Sequence, residues 1–287
     1  MNGKTLDGLM GPTMNLASKK LTAGQALALA HLLLAASGCV TATGGTGGAP
    51  PAGTPSDAAP RGRVQARASI DSRADADYYL SHALTLAKEE PGEINRTDFV
   101  RFRRGRLYAS GPNDSDVIGA LERELSAAFD QDDQRAIVDI TARILTDDEA
   151  DIRAHMLRSI ALRKLQRTRE ADFHRGVALA LIQSVMATGD GRSLESAWTV
   201  FRVKEEYEII KVLGCLVESQ ALKSNGDRMF DVLVARKAQG GGVIRVHFDI
   251  TELFAEEGRN LRRRSADRAV QHGVAPDDRS PPAPARR

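Results

Sequence analysis

Through the middle of the chain, apolar residues recur every three or four positions, the spacing that places them on one face of a helix. The first pattern runs from Ser69 to Lys88 and ends at Pro91-Gly92, which breaks a helix. Five more patterns follow, and the short links between them predict antiparallel helical hairpins. Their apolar positions are Phe99, Phe102 and Leu107, then Val117, Leu121 and Leu125, then Ile137, Ile140 and Ile144, then the segment Ile152 to Leu165, and finally Phe173, Val177, Leu181 and Val185.

Capping residues predict where two of these helices begin and end. Thr146 and Glu149 have the spacing of a capping box ahead of the helix at Ile152, in which each side chain bonds the other residue's backbone amide. The last helix, which begins near Thr168, is expected to close at Gly189, because glycine most easily takes the left-handed conformation of a C-terminal cap.

Beyond Tyr207 the helical spacing gives way to the alternation of apolar and polar residues that is typical of strands. Asn225-Gly226 and Gly240-Gly241-Gly242 separate three such segments and favour tight hairpin turns. We therefore expect a small antiparallel β-meander after the helices. Its strands would be Leu216 to Leu222, Met229 to Val234 and Val243 to Ile250.

The fold class that these patterns predict is α+β, with antiparallel helical hairpins followed by a small C-terminal antiparallel β-meander. The stretch Ala136 to Leu181 is loosely similar to tetratricopeptide-type helix pairs, which cover each other's apolar faces. No fixed period repeats over three units, so the sequence predicts helical-hairpin packing without a solenoid.

The N-terminal segment has the features of an export signal. Lys19 and Lys20 precede an apolar stretch from Ala26 to Ala36, which is too short to span a bilayer as a helix. The stretch ends in Leu34-Ala35-Ala36-Ser37-Gly38-Cys39, which resembles the lipobox of bacterial lipoproteins. That resemblance implies a signal peptide over residues 1–38 and a lipid on Cys39 that binds the protein to a membrane.

The resemblance to lipoproteins also implies a location. An aspartate after the lipidated cysteine commonly retains such proteins in the inner membrane, and this chain has Val40 there. We therefore expect an exported protein that is anchored in the cell envelope, at the outer membrane and facing the periplasm.

Composition divides the rest of the chain into a folded middle and two unlike ends. Residues 39–65 are rich in glycine, proline and threonine and should form a flexible linker after the lipidated cysteine. One folded domain is predicted over residues 66–258. Residues 259–287 hold eight arginines against three aspartates, which predicts a disordered basic tail, either solvated or lying against anionic lipid head groups.

The charge balance bears on possible partners. The chain has a net charge of +2, but the basic excess lies in its first residues and in the tail, so the predicted domain lacks a basic surface overall. We expect no nucleic-acid partner. The paired glycines of the linker lack the Gly-Lys-Ser/Thr ending of a phosphate-binding loop, so no nucleotide site is expected either.

Cys215 is the only cysteine besides Cys39, so the mature domain cannot form an internal disulfide. Its apolar neighbours Leu213, Leu216 and Val217 favour a buried free thiol over a reactive one.

Several short motifs resemble the family called domain of unknown function 4919. They extend from about residue 97 to residue 252, with His247 at a place where a tyrosine is expected. The resemblance implies a fold and no activity, because the family is uncharacterised. The motifs are Ala154-His155, Phe173-His174-Arg175, Gly189-Asp190-Gly191-Arg192-Ser193, Glu205-Glu206-Tyr207, Gln220 and His247-Phe248-Asp249-Ile250.

These motifs contain the candidate binding residues; no residue is assigned as catalytic or as a metal ligand, and no cofactor is expected. The candidates are His174, Asp190, Glu205, Glu206 and Gln220.

Asp190, between two glycines, could present its carboxylate to a ligand, or could cap a helix from Leu194 to Phe201, as could Ser193. Glu205 and Glu206 point in different directions on either a helix or a strand, so at most one of them faces a site.

Two further groups carry open alternatives. His155 and His174 lie on consecutive helices and could approach each other, either as a satisfied pair within a helix interface or as metal ligands with Asp190 or a carboxylate near Glu205. Arg245 and His247 share one strand face with Asp249, which is expected to be the solvent-exposed face of the sheet.

The function that these features favour is a non-catalytic binding module for a protein or small ligand of the envelope. The alternative is an envelope hydrolase or metal-dependent enzyme built around His174, Asp190, Gln220 and Glu205 or Glu206. Convergence of these residues in one pocket would favour the enzyme, whereas their separation would favour the binding module.

Overall fold

The computed structural model of the protein describes residues 71–109 and 115–271, which form nine helices and a four-stranded sheet. The predicted signal peptide, the predicted lipidation site Cys39, the predicted linker and the last residues of the chain lie outside the described residues. The helices are α1 (Ser72–Leu86), α2 (Pro91–Arg96), α3 (Phe99–Ala109), α4 (Ser115–Asp130), α5 (Gln134–Asp147), α6 (Ile152–Lys164), α7 (Thr168–Met186), α8 (Val203–Val212) and α9 (Thr251–Gln271). The strands are β1 (Trp198–Thr199), β2 (Cys215–Asn225), β3 (Arg228–Lys237) and β4 (Val243–Asp249).

All six helices that the apolar spacing predicts are present, as α1 and α3 to α7. Helix α1 packs on α3, and α4, α5 and α6 each pack on the next helix, which confirms the helical hairpins. The short helix α2 was not predicted, although Pro91 occupies its first turn, where a missing backbone N–H costs nothing. Helix α8 was missed as well, because the change to strand periodicity was placed at Tyr207, inside it.

The predicted capping box before α6 is wrong. Helix α5 extends beyond Thr146, so the Thr146 hydroxyl donates a hydrogen bond to the carbonyl oxygen of Ala142, one turn back in the same helix (3.0 Å). Asp151 caps α6 instead, because its carboxylate accepts a hydrogen bond from the Ala154 N–H at 2.9 Å.

Gly189 is not the predicted left-handed cap, since α7 ends at Met186 and its last carbonyls are bonded by Ala187. Gly189 lies instead where another segment passes very close, and a Cβ at this position would be 2.2 Å from the carbonyl oxygen of Ser196. The indole N–H of Trp198 donates to the Gly189 carbonyl oxygen at 2.9 Å. These contacts hold residues 189–198 in a compact loop.

The helix predicted from Leu194 to Phe201 is also wrong. The segment after that loop forms the two-residue strand β1, which pairs in parallel with β4 at Phe248 and Asp249. The sheet has the order β1-β4-β3-β2 and is therefore mixed. Strands β2, β3 and β4 form the predicted antiparallel meander, with Gly226 and Gly240 at positive φ in its turns.

The basic tail begins with a helix that its composition did not predict. Helix α9 continues to Gln271, so the disorder predicted from Arg259 is wrong up to that residue. The Asp249 carboxylate accepts a hydrogen bond from the Thr251 N–H (3.0 Å) at the start of α9. The Arg259 guanidinium pairs with Glu256 on the same helix. Arginine-rich composition alone did not reveal this local support.

Two apolar cores hold the described residues together. The larger core joins α1, α3 and α7 to α8 and the sheet, and Phe102, Leu181 and Phe248 lie fully buried in it. The smaller core fills the space between α4, α5 and α6 around Leu125 and Leu162. Of the helices in the described ranges, none is both long enough and apolar enough to cross a bilayer.

Candidate functional site

His174 on α7 contacts His155 on α6, in the interface between these two helices. The Nδ1 atoms of the two rings are 2.9 Å apart, and the Arg158 guanidinium donates to Nε2 of His174 at 2.7 Å. Because Nε2 of His174 accepts, its Nδ1 must carry the proton and donate to His155. The Nε2 proton of His155 then reaches the carbonyl oxygen of Glu149 at 3.1 Å.

This hydrogen-bond chain uses all four ring nitrogens and requires two neutral imidazoles. Burial lowers the pKa of His155 to about 4. Burial, with the adjacent His155 and Arg158, lowers the pKa of His174 to about 2. Glu89 lies 3.1 Å from Nε2 of His174 and 3.6 Å from Arg158, so the guanidinium balances its charge.

The geometry favours the satisfied histidine pair over the metal site. Asp190 lies beyond the C-terminal end of α7, and His174 is about 18 Å of helix away from that end. Among the residues that the structure describes, no group of three or more His, Cys, Asp or Glu side chains is placed to hold a metal ion.

Asp190 has a local structural role in the loop between α7 and β1. Its carboxylate is exposed, accepts a hydrogen bond from the Ser196 hydroxyl at 2.5 Å and accepts another from the Arg192 N–H at 2.9 Å. These hydrogen bonds lower the pKa of Asp190. The loop in turn covers His247, whose backbone N–H and ring both bond the Gly191 carbonyl oxygen. His247 is therefore buried, which corrects its predicted place on the exposed face of the sheet.

Glu205 and Glu206 are both buried at the start of α8, where they face different partners. Glu205 forms an ion pair with Arg103 of α3 at 2.8 Å, and the same carboxylate accepts the Phe201 N–H at 3.0 Å. Arg103 is fully buried and also donates to the Ser184 hydroxyl at 2.8 Å. Glu205 thus joins α3 and α7 to α8.

A second buried charge network lies beside this pair and was not predicted. Asp148, in the link between α5 and α6, forms ion pairs with Arg202, Lys204 and Arg106. Burial alone would raise the pKa of Asp148, but the positive charges of Arg202 and Lys204 hold it well below its usual range. The sequence offers little signal for the network, because each partner lies more than forty residues from Asp148.

Glu206 faces the sheet, where it meets an acidic residue that was not predicted, Asp231 of β3, and Asp231 in turn bonds Gln220 of β2. Glu206 and Asp231 lie within hydrogen-bond reach of each other. The Gln220 amide donates to Oδ2 of Asp231, and its own carbonyl oxygen accepts the Tyr207 hydroxyl at 2.8 Å. Among the candidates from the sequence, Glu206 and Gln220 are therefore brought together, whereas Glu205, His174 and Asp190 lie elsewhere.

The carboxyl groups of Glu206 and Asp231 are buried without enough hydrogen-bond donors to stabilise their charged forms. No donor in the described residues reaches either oxygen of Glu206 or Oδ1 of Asp231. Burial and the negative charge of Asp231 raise the pKa of Glu206 well above its usual value. Burial also raises the pKa of Asp231, against the opposing Gln220 hydrogen bond. Two such carboxyls can bond each other only while one of them holds a proton.

A sequence signal for Asp231 did exist. Asp231 interrupts the apolar run from Met229 to Val234, and strand alternation places it on the same face as Leu233, which packs in the core. A carboxylate on the buried face of a strand is costly and therefore marks a position worth testing.

The structure also contains a shallow groove of 460 Å³ between α2 and the start of α7. None of the candidate binding residues lines it. Its walls are Pro91, Ile94, Thr168, Arg169, Asp172 and Phe173.

The fold and the clusters together define an α+β protein of helical hairpins followed by a small mixed sheet, with several ionisable groups buried in interfaces between elements. The chain belongs to the family described as domain of unknown function DUF4919, whose model matches residues 77–259. The match includes all five candidate binding residues and begins earlier than the residue 97 expected from the motifs. No curated protein and no solved structure matches the chain.

Proposed function

We propose that this chain is a lipid-anchored protein of the bacterial cell envelope whose folded domain acts as a non-catalytic binding module. The separation of the candidate residues carries this proposal. His174, Asp190 and Glu205 occupy three different parts of the fold, and each is engaged in contacts that stabilise neighbouring elements. Glu206 and Gln220 do converge, but Glu206 is 0% exposed, so a substrate has no direct access to its carboxyl.

The alternative, an envelope hydrolase or metal-dependent enzyme, requires these residues to share one accessible pocket. The groove beside α7 contains none of them. The histidine pair has no ring nitrogen left for a metal, since its four nitrogens are used in hydrogen bonds. The binding module is therefore the better-supported function.

The lipid anchor is supported by the sequence before Cys39, and the two cysteines of the chain provide a matched test. Cys39→Ala should abolish incorporation of radiolabelled fatty acid and release the protein from membranes. Cys215→Ala should leave both unchanged, because this thiol is buried in the core of the domain. Labelling that persists in Cys39→Ala would contradict the anchor.

The proposed outer-membrane location rests on Val40. Val40→Asp should shift the lipidated protein towards the inner-membrane fraction of a sucrose gradient, and Val40→Ala should not. Equal distribution of the two variants would contradict this sorting.

Exposed apolar side chains provide the candidate partner surface. Leu84 on α1 is 72% exposed, and Leu222 on the edge strand β2 is also exposed. A photo-crosslinking residue at Leu84 or Leu222 in whole cells should capture one discrete envelope protein. The same residue at Arg143, on the exposed surface of α5, is the control. If all three positions capture the same abundant neighbours, the domain is not a specific binding module.

A further inference from the structure

Among the described residues, buried acidic side chains pair with a basic side chain, with two exceptions. Six buried carboxylates each form an ion pair with an arginine or lysine. Glu206 and Asp231 are also buried, yet neither forms an ion pair with an arginine or lysine in the part of the chain that the structure describes. The paired residues are Asp75, Asp148, Asp151, Glu205, Glu208 and Glu256.

The oxygens left without donors belong to two side chains, one on α8 and one on β3, that lie within hydrogen-bond reach of each other. They are both carboxylate oxygens of Glu206 and Oδ1 of Asp231. Gln220 does not supply the missing donor, because its amide nitrogen donates to Oδ2 of Asp231 and its oxygen accepts from the Tyr207 hydroxyl. Burying acceptors without partners is costly, so the arrangement calls for a positive species at this position.

We propose that Glu206 and Asp231 bind a hard divalent cation, Ca²⁺ or Mg²⁺, between helix α8 and strand β3. The available donors are carboxylate oxygens, with the amide of Gln220 fixed beside them. Hard cations of this class are bound through oxygen, and one or two carboxylates suffice when water completes the coordination. Zinc does not fit as well, because no histidine or cysteine within the described ranges joins the pair.

The cation would link α8 to the sheet in the way that Arg103 links α3 to α8 through Glu205. Its binding would therefore stabilise the folded domain by mass action, because the separated elements of the unfolded chain offer no such site. This site is independent of the proposed partner surface, so either can fail without the other.

Thermal unfolding of the full chain tests the proposal. After treatment with EDTA and its removal, addition of Ca²⁺ or Mg²⁺ at about a hundredfold excess over Kd should raise Tm by roughly 5 to 10 °C. Glu206→Gln should abolish the rise in Tm, because the glutamine amide can donate a hydrogen bond to Asp231 and the substitution removes one negative charge. Asp231→Asn provides a second variant in case the first folds poorly.

Glu208→Gln is the matched control, because Glu208 is a buried carboxylate of the same helix that already pairs with Lys211 at 2.6 Å. This variant should keep the full Tm rise. A rise that persists in Glu206→Gln and Asp231→Asn would overturn the proposal, since the cation would then bind elsewhere. Absence of a rise in the unaltered protein with both ions would also overturn it and would leave a proton as the species between the two carboxyls.

Discussion

Arg103 illustrates how far the stability of this fold depends on individual buried charges. Its guanidinium is fully buried and is matched by the Glu205 carboxylate, the Ser184 hydroxyl and the face of the Phe201 ring. Burial lowers the pKa of Arg103, while Glu205 opposes this effect. Removing one partner of such a pair leaves the other charge without compensation in a poorly solvated place.

We therefore expect Glu205→Ala to destabilise the protein by about 3 to 5 kcal/mol. Urea denaturation measures this loss as a shift of the midpoint. Glu124→Ala is the control, because Glu124 pairs with Arg143 at 2.8 Å and both side chains are exposed. An exposed pair contributes only about 0 to 1 kcal/mol. Equal losses in the two variants would show that Arg103 is solvated in the folded protein.

Single residues were also the hardest level to predict from the sequence. Asp231 could have been found from strand alternation, as a carboxylate on a core-facing position. Arg103 could not, because it lies in an arginine-rich helix and its partner Glu205 is distant in sequence. The pairing depends on how α3 and α8 pack, which local spacing does not encode.

Elements were predicted well where the apolar pattern is long and regular. Helices α4 and α5 and strand β4 follow directly from their spacing. The sequence pattern predicts a helix where the structure has the two-residue strand β1. A strand this short has no periodicity of its own and depends on pairing with β4. Helix α9 was missed because its apolar positions are sparse and its support comes from side-chain pairs and caps.

The contact between α1 and α3 depends on a residue whose importance spacing does not reveal. A Cβ on Gly105 of α3 would be 2.0 Å from the backbone carbonyl oxygen of Asp75 on α1. The two helices can approach this closely only because position 105 lacks a side chain.

We expect Gly105→Ala to push α1 away from α3 and to destabilise the protein by about 1 to 3 kcal/mol or more. Gly119→Ala on α4 is the matched control, since its Cβ would meet only the mobile end of the Arg123 side chain at 3.5 Å. Alanine is the better helix former, so Gly119→Ala should be neutral or stabilising by up to about 1 kcal/mol. A Gly105→Ala protein that melts at or above the unaltered Tm would contradict this account.

At the scale of the whole molecule, the buried histidines make stability depend on pH. The pKa of His155 falls to about 4 and that of His174 to about 2 in the folded protein, below the usual value of a histidine. As the pH falls below about 6.5, His155 and His174 become protonated in the unfolded chain but stay neutral in the folded protein. The histidines' contribution to stability is thus fully present above that pH and is lost on acidification towards their folded pKa values.

Each histidine that remains neutral in the folded protein contributes about 1.4 kcal/mol per pH unit to the slope, and the raised pKa values of Glu149 and Glu206 act in the opposite direction. Urea denaturation at pH 7.5, 6.0 and 5.0 measures the slope. His155→Gln removes one titrating group and should flatten the slope, even if it lowers stability at pH 7.5. A slope that is unchanged in this variant would assign the acid sensitivity to other groups.

The parallel pairing of β1 with β4 has a consequence for how the chain folds. Trp198 in β1 is the only tryptophan of the protein, and its partner strand is made about fifty residues later in the sequence. Helical hairpins close over short loops and form quickly, whereas this pairing must wait until β4 has joined the meander. Tryptophan fluorescence should therefore report a later event than far-ultraviolet circular dichroism in refolding, which makes the indole a built-in reporter of the final docking step.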